Sequence, residues 1–180
     1  MKNSLRISFL APTGYGKTTA ATFVANCFNA VIIKLAEPLY EIQRFYYNLL
    51  GKPETTQDGE LLQYFGHKIC KDAPNFLFET FQAKLNEIAV NNPKAIIVND
   101  DCRPSNYEKL KRENFIFIKI EGIKYGRTDI TPINPAHSLE WHDNIPCDYT
   151  ISNRCSMVEF KDRTINIVEW LIKNECKYSK

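Results

Sequence analysis

The sequence predicts a three-layer α/β fold with a parallel sheet of about five strands. Three observations lead to this expectation. Short apolar runs alternate along the chain with segments of helical periodicity, the order of strands and crossover helices in a parallel sheet. Two of the runs, residues 30–36 and 95–98, are continuous and β-branched, as in strands covered on both faces. Turn-forming or acidic residues follow the apolar runs. They would lie at the carboxyl ends of the strands, where open α/β sheets bind ligands.

The elements follow in a regular order. A strand at residues 5–10 ends at a turn, and a helix runs from about Lys17 to Phe28. After the strand at 30–36, Pro38 begins a helix that Gly51 ends. Further elements are expected as helices at about 59–71 and 75–91, a strand at 95–98, a helix at about 104–113, strands at 115–121 and 148–152, and an amphipathic helix at 158–175.

The 180 residues predict one domain, 1–180, because domains commonly hold roughly 100–200 residues. Three successive helices between the second and third strands form a helical insertion, at about 37–91. The segment from Gly122 to Ile145 is rich in glycine and proline and is too long for an ordinary connection. We expect it to act as a lid, at about 122–145.

Composition excludes several classes of protein. Hydrophobic residues make up 44% and charged residues 24% of the chain, as in an ordinary soluble globular protein. A net charge of +2 is too small for a surface that coats a nucleic-acid polymer. No apolar run approaches the roughly 18 residues that span a membrane, and Pro12 and Gly14 interrupt the N-terminal stretch, unlike a signal peptide. We expect a cytoplasmic protein with no membrane partner.

The six cysteines are expected to be reduced thiols. They are widely spaced and form no C-x-x-C motif, and a chain of this length folds without disulfides. The three histidines do not lie at the short, fixed distances from a cysteine pair that a zinc site requires.

A phosphate-binding loop (P-loop) is the clearest motif. The segment A-P-T-G-Y-G-K-T at 11–18 follows the first strand and opens the first helix, with Ala11 in place of the usual glycine. Its glycines let backbone N–H groups converge on a phosphate. Lys17 supplies a cation to the β- and γ-phosphates, and Thr18 a hydroxyl to Mg²⁺. The sequence thus predicts a P-loop NTPase fold with ATP and Mg²⁺ as cofactors. The expected nucleotide site comprises Gly14, Tyr15, Gly16, Lys17, Thr18 and Thr19.

Two carboxylates, Asp100 and Asp101, follow the third strand, where P-loop proteins place the acid that serves Mg²⁺. Spacing does not choose between them, and one is expected to be structural. Cys102 follows Asp101 where water-activating ATPases usually carry Glu, and the chain has no N-K-x-D motif for guanine. Both features favour transfer to an acceptor other than water.

Several segments in order resemble the bacteriophage-type deoxynucleoside monophosphate kinases, of the P-loop nucleoside monophosphate kinase superfamily. They are APTGYGKTT, KLAEPLYEI, GELLQYFGHKIC, IIVNDDCRPSNYEKL and HSLE followed by CDYTISN. The resemblance implies a phosphotransferase that moves a phosphoryl group from ATP to a (deoxy)nucleoside monophosphate and yields the diphosphate. One departure is Tyr40, where the family usually has Lys.

The resemblance also implies roles for single residues. Asp101 lies near the metal and the acceptor, and Arg103 holds a phosphate. Arg127 is the lid arginine that stabilises the transferring group. With Lys17, these three residues form the expected catalytic set, and Thr18, Asp100 and Asp101 form the expected metal set. The expected acceptor site comprises Glu37, Arg44, Gln63, Arg103 and His137.

Alternatives remain open for three of these residues and for the function. Gln63 reads the acceptor base or is a solvated helix residue, Arg44 binds the acceptor phosphate or forms a surface salt bridge, and His137 binds acceptor or is structural. A P-loop kinase of a nucleoside or a metabolite phosphate shares every phosphate-loop argument, and a non-catalytic nucleotide-binding protein shares the motif itself. The sequence leaves open the acceptor's base and sugar and whether the chain forms a homodimer.

Overall fold

The computed structural model describes residues 4–53, 57–122 and 144–178. Its five strands form one sheet in the order β2-β3-β1-β4-β5, and every neighbouring pair is parallel. The strands are β1 (Arg6–Leu10), β2 (Val31–Ile32), β3 (Ile97–Asn99), β4 (Ile116–Glu121) and β5 (Tyr149–Ser152). The predicted α/β fold class and the parallel sheet are confirmed.

The described helices lie between the first four strands and after the last one. They are α1 (Lys17–Phe28), α2 (Glu37–Leu49), α3 (Gly59–Asp72), α4 (Phe76–Asn91), α5 (Pro104–Arg112) and α6 (Met157–Tyr178). The first three elements after β2 are helices, as the sequence predicts. Within the described ranges, no helix combines the length and apolar character that are needed to cross a membrane.

Two buried clusters lie on opposite faces of the sheet. Along β4, Ile118 belongs to the cluster that α1 and α6 cover, whereas Phe117 belongs to the cluster that α4 and α5 cover. This alternation follows from the strand geometry, in which successive side chains point to opposite faces. The first cluster includes Val24 of α1 and Leu171 of α6, both essentially inaccessible to solvent. The helices on both faces make the three layers.

The second strand is shorter than predicted. The apolar run 30–36 was expected to form a strand buried on both faces, but β2 contains two half-buried residues and lies at the edge of the sheet. Its ladder ends with the bond from Ile33 N to Val98 O, 2.9 Å. Beyond it, the N–H groups of Leu35 and Ala36 donate to the Asp101 carboxylate instead of to a strand. The Asp101 side chain therefore accepts the N–H groups that would otherwise continue β2.

Polar contacts join α2 to α3 within the helical insertion. Gln43 is buried on α2, and its Oε1 accepts a 2.9 Å hydrogen bond from Asp58 N. The Asp58 carboxylate caps α3 by accepting from Leu61 N at 3.0 Å, and it also accepts from the Tyr47 hydroxyl at 2.8 Å. Two hydrogen bonds from α2 thus reach Asp58, the residue that caps α3.

Most of the predicted lid, about 122–145, lies outside the described residues. Gly122 and residues 144–145 are its described ends. Arg127 and His137 therefore have no described position.

Candidate active site

The loop between β1 and α1 has the backbone shape that the motif predicts. Gly14 and Gly16 have φ angles of 87° and 95°, in the left-handed region that favours glycine. Gly16 caps α1, and a Cβ at this position would lie 3.2 Å from the Phe160 ring. The positive φ angle and the short distance to the Phe160 ring therefore both favour glycine at Gly16. The loop ends at the N-terminus of a twelve-residue helix, where N–H groups favour an anion.

Lys17 folds back over its own loop. Its Nζ donates to the carbonyl oxygens of Ala11 and Pro12, at 2.7 and 3.0 Å. Burial, together with the nearby charge of Arg103, lowers the pKa of Lys17 to about 8, and Asp100 opposes this shift. A polyphosphate placed against the loop would favour the charged ammonium, because an adjacent anion raises the pKa of a lysine.

Asn153, which follows β5, supports the loop from the other side. Its Nδ2 donates to the Tyr15 carbonyl at 2.7 Å, while its backbone N–H donates to Glu121 O at 2.8 Å. At Gly122, an added Cβ would lie 1.5 Å from Asn153 Oδ1, so no larger residue fits there. Asn153 was not predicted as a site residue; a polar residue at the carboxyl end of a strand was the available signal.

Thr18 and Asp100 meet at the carboxyl edge of the sheet. Thr18 Oγ1 donates to Asp100 Oδ2 at 2.7 Å. Lys34 Nζ lies 2.8 Å from each oxygen of the same carboxylate, whose side chain is 1% exposed. Lys34 was not predicted as a site residue. Lys34 lies two residues after β2, and Asp100 directly follows β3, so polar residues near the ends of neighbouring strands were the signal that could have identified it.

Asp101 has a different environment from Asp100. Its two oxygens accept hydrogen bonds from Leu35 N at 3.1 Å and Ala36 N at 2.8 Å, and Asn99 Nδ2 donates to it at 2.6 Å. Burial raises the pKa of Asp101, and the backbone hydrogen bonds act in the opposite direction. This carboxylate holds the chain that leads from β2 to α2.

The oxygen atoms near Thr18 suit Mg²⁺. A hydroxyl and a carboxylate are hard donors, which this cation prefers, and Mg²⁺ commonly takes its other ligands from water and substrate phosphates. Among the described residues, no group of three or more His, Cys, Asp or Glu side chains could hold a metal without such ligands. Thr18 and Asp100 therefore fit a nucleotide-bound metal, and the contacts of Asp101 lie elsewhere.

Arg103 stands at the beginning of α5, two residues after Asp101. Its backbone is extended at φ −121° and ψ 162°, and the residue is half-buried. Its charge is the second-largest influence on the pKa of Lys17, after burial. The fold thus brings this arginine and the P-loop lysine into one electrostatic cluster, although 86 positions separate them in the sequence.

The other predicted acceptor residues lie on the insertion. Arg44 Nη2 contacts Glu37 Oε1 at 3.2 Å, and both side chains are about half exposed, at 47% and 49%. This pair matches the surface salt bridge that the sequence left as an alternative for Arg44. Gln63 is half-buried on α3 beside Leu62. Tyr40, at the family's lysine position, places its ring centroid 5.8 Å from Lys34 Nζ.

No family model matches the sequence, and no curated protein is significantly similar to it. Solved structures of similar fold include a gluconokinase from Sinorhizobium meliloti, with 14% identity and a TM-score of 0.54 over 100% of both chains. A sugar kinase from a Janibacter species has 13% identity and a TM-score of 0.56 over 92% of this chain and 95% of its own. At these identities the likeness shows the fold alone. The chain therefore has the same fold as these two kinases.

Proposed function

We propose that the protein transfers a phosphoryl group from ATP, with Mg²⁺, to a (deoxy)nucleoside monophosphate. The observation that carries the proposal is the convergence of three features at one edge of the sheet: the P-loop with Lys17, the Thr18–Asp100 pair, and Arg103. Phosphoryl transfer requires mainly that two anionic substrates be aligned and that the charge of the moving group be neutralised. These residues supply the cations and oxygen donors for both tasks.

On the donor side, the P-loop amides and Lys17 bind the phosphates of ATP. Lys17 exchanges the carbonyl oxygens of Ala11 and Pro12 for phosphate oxygens when nucleotide binds. Thr18 and Asp100 would hold Mg²⁺, which when bound offsets negative charge on the phosphates. Asn153 keeps the loop in place through the Tyr15 carbonyl.

The two carboxylates support an acceptor that is already ionised. A hydroxyl acceptor benefits from a general base within hydrogen-bond reach. Asp100 is engaged by Thr18 and by Lys34 on both oxygens, and both oxygens of Asp101 accept backbone N–H groups. Among the described residues, the carboxylates beside the P-loop are thus occupied. A phosphate monoester needs no such base, because its oxygens are anionic at neutral pH.

Arg103 is our candidate for the acceptor phosphate. A guanidinium presents a planar fork that binds two phosphate oxygens at once. Asp101 acts indirectly, by fixing the chain between β2 and the acceptor-side helix α2. We also propose that Arg127 and His137 contribute from the lid and that Gln63 contacts the base, roles that the family resemblance implies.

A second candidate is a kinase of a sugar or another hydroxyl acceptor. Its support is the fold, because the similar structures include a gluconokinase and a sugar kinase. A non-catalytic nucleotide-binding protein is the third alternative.

An acceptor screen separates these functions. Purified protein, ATP and Mg²⁺ are combined with nucleoside monophosphates, nucleosides, gluconate and other sugars, and ADP release is measured. We expect release only with one or more nucleoside monophosphates. Release only with a sugar would favour the second candidate, and ATP binding without release would favour the third. Lys17→Ala is the inactive control, and Lys84→Ala, which changes an exposed lysine paired with Glu87, is the matched surface control.

A further inference from the structure

Lys34 covers the carboxylate that the proposed function assigns to the metal. Its Nζ lies 2.8 Å from Oδ1 and 2.8 Å from Oδ2 of Asp100, so one ammonium group engages both oxygens. The Thr18 hydroxyl donates to Oδ2 of the same group. A tethered cation therefore lies against both oxygens of Asp100.

The charges around Asp100 do not favour a free divalent cation. Among the described residues, Lys17, Lys34 and Arg103 bring three positive charges to the cluster, and Asp100 and Asp101 bring two negative ones. The Asp101 charge is further compensated by backbone N–H groups. A site with surplus positive charge repels a free metal ion and attracts the phosphates of a nucleotide.

We propose that Lys34 is a positioning residue that makes metal binding depend on nucleotide. Its ammonium holds Asp100 in place and excludes free divalent cations from this carboxylate. The metal then binds only together with phosphates, which supply the negative charge that the free site lacks. This inference rests on the proposed function insofar as it takes Thr18 and Asp100 as the metal site.

The surroundings of Lys34 allow a metal ion to replace its ammonium group at Asp100. Its side chain is 25% exposed, whereas that of Asp100 is 1% exposed, so the ammonium can withdraw toward solvent while the carboxylate stays fixed. A lysine stem is long and flexible, and its three donors are not bound to one geometry. On its other side lies the Tyr40 ring, 5.8 Å from Nζ, which offers a weak cation–π contact.

A purely structural role predicts a different outcome from this exchange. If Lys34 only neutralised a buried carboxylate, its removal would lower stability and would change Mn²⁺ affinity to the same extent with and without ADP. A gain that is larger without nucleotide than with ADP, and that requires Asp100, distinguishes the two roles.

The test uses Mn²⁺ as the probe, with free Mn²⁺ measured by electron paramagnetic resonance at pH 7.5, without nucleotide and with ADP. Lys34→Gln removes the charge but keeps an N–H donor, and Lys34→Met removes both; thermal melting shows that each variant folds. We expect either variant to bind Mn²⁺ without nucleotide about tenfold or more tightly than wild type. Lys84→Met, the matched surface control, should behave like wild type.

Adding Asp100→Asn to Lys34→Gln should abolish the gain. Unchanged Mn²⁺ affinity in a folded Lys34 variant would overturn the proposal, as would a gain that survives Asp100→Asn or one that Lys84→Met shares. Failure of the Lys34 variants alone leaves the proposed function intact. A wild-type protein that binds Mn²⁺ no better with ADP than without it would contradict the proposed function, and this proposal with it.

Discussion

The hydroxyl of Thr18 donates a 2.7 Å hydrogen bond to Oδ2 of Asp100, although 82 positions separate the two residues. Thr18 lies in the first turn of α1, and Asp100 directly follows β3. Because β1 and β3 are paired in parallel, the loop after one strand lies beside the end of the other. The fold itself thus brings together the two side chains that fit a nucleotide-bound metal.

This contact ranks the two strand-end carboxylates. The family resemblance implies that Asp101 lies near the metal and the acceptor, which predicts that Asp101→Asn weakens Mg²⁺-dependent activity more than Asp100→Asn does. The geometry leads us to expect the reverse: Asp100→Asn should weaken Mg²⁺-dependent activity by about 10- to 100-fold, because the variant loses a charged oxygen beside Thr18. Mg²⁺ titrations of steady-state activity measure the effect.

Asp101→Asn supplies the comparison for that measurement. Its amide nitrogen cannot accept from a backbone N–H, so we expect the chain between β2 and α2 to loosen. The acceptor KM and thermal stability should change more than the Mg²⁺ dependence. A stronger Mg²⁺ dependence in Asp101→Asn than in Asp100→Asn would restore the original ranking.

Lys17→Ala should reduce phosphoryl transfer on the order of 10²-fold or more, because the transition state loses a preorganised cation. Lys17 bonds only to carbonyl oxygens of its own loop among the described residues, so the fold should persist. Steady-state kinetics and a thermal melt check both statements, with Lys84→Ala as the control. Undiminished turnover in a folded Lys17→Ala protein would refute the donor-site assignment.

Arg103→Lys tests the acceptor side. The change keeps the positive charge but removes the planar fork, so we expect kcat/KM for the acceptor to fall about tenfold or more. ATP affinity, measured without acceptor, should stay within about twofold, because the P-loop holds the donor. If ATP binding weakens while the acceptor KM is unchanged, Arg103 belongs to the donor side.

Asp58 links the stability of the insertion to pH. The hydrogen bonds that the Asp58 carboxylate accepts lower the pKa of Asp58 below its ordinary value of 3.8. The bond from Leu61 N has the largest effect. A carboxylate whose pKa is lowered by folding stabilises the protein above its unfolded pKa, and this contribution is lost as pH falls through the folded pKa. Asp58→Ala should therefore lower the free energy of unfolding by about 1 kcal/mol at pH 7. The loss should be smaller at a pH below the folded pKa of Asp58.

Urea unfolding at neutral and acid pH measures this dependence. Asp58→Asn is the matched variant, because asparagine also caps helices well and should lose less stability at pH 7. Identical unfolding curves for wild type and Asp58→Ala at pH 7 would show that the cap contributes nothing.

The features of the fold that the sequence predicts correctly are those that depend on local patterns. Helical periodicity and the P-loop motif lie within short segments, so the helix order and the position of Lys17 follow from the sequence. The length of β2 does not, because it depends on the Asp101 carboxylate, 66 positions away along the chain. The Lys34–Asp100 contact spans the same separation.

For a related reason, the sequence could not decide whether Asp100 or Asp101 lies beside Thr18. Successive side chains at a strand end point to opposite sides, so a shift of one residue in the strand boundary exchanges their roles. Apolar patterning locates strand boundaries only to within a few residues. The structure ends β3 at Asn99 and turns Asp100, not Asp101, toward Thr18.

Transfer of the γ-phosphoryl of ATP to a nucleoside monophosphate can be followed with labelled ATP. The most direct measurement incubates the protein and Mg²⁺ with γ-³²P-ATP and each monophosphate in turn, then separates the products by thin-layer chromatography. We expect label in a nucleoside diphosphate, with none formed by Lys17→Ala. Label found only in inorganic phosphate or in a sugar phosphate would contradict this expectation.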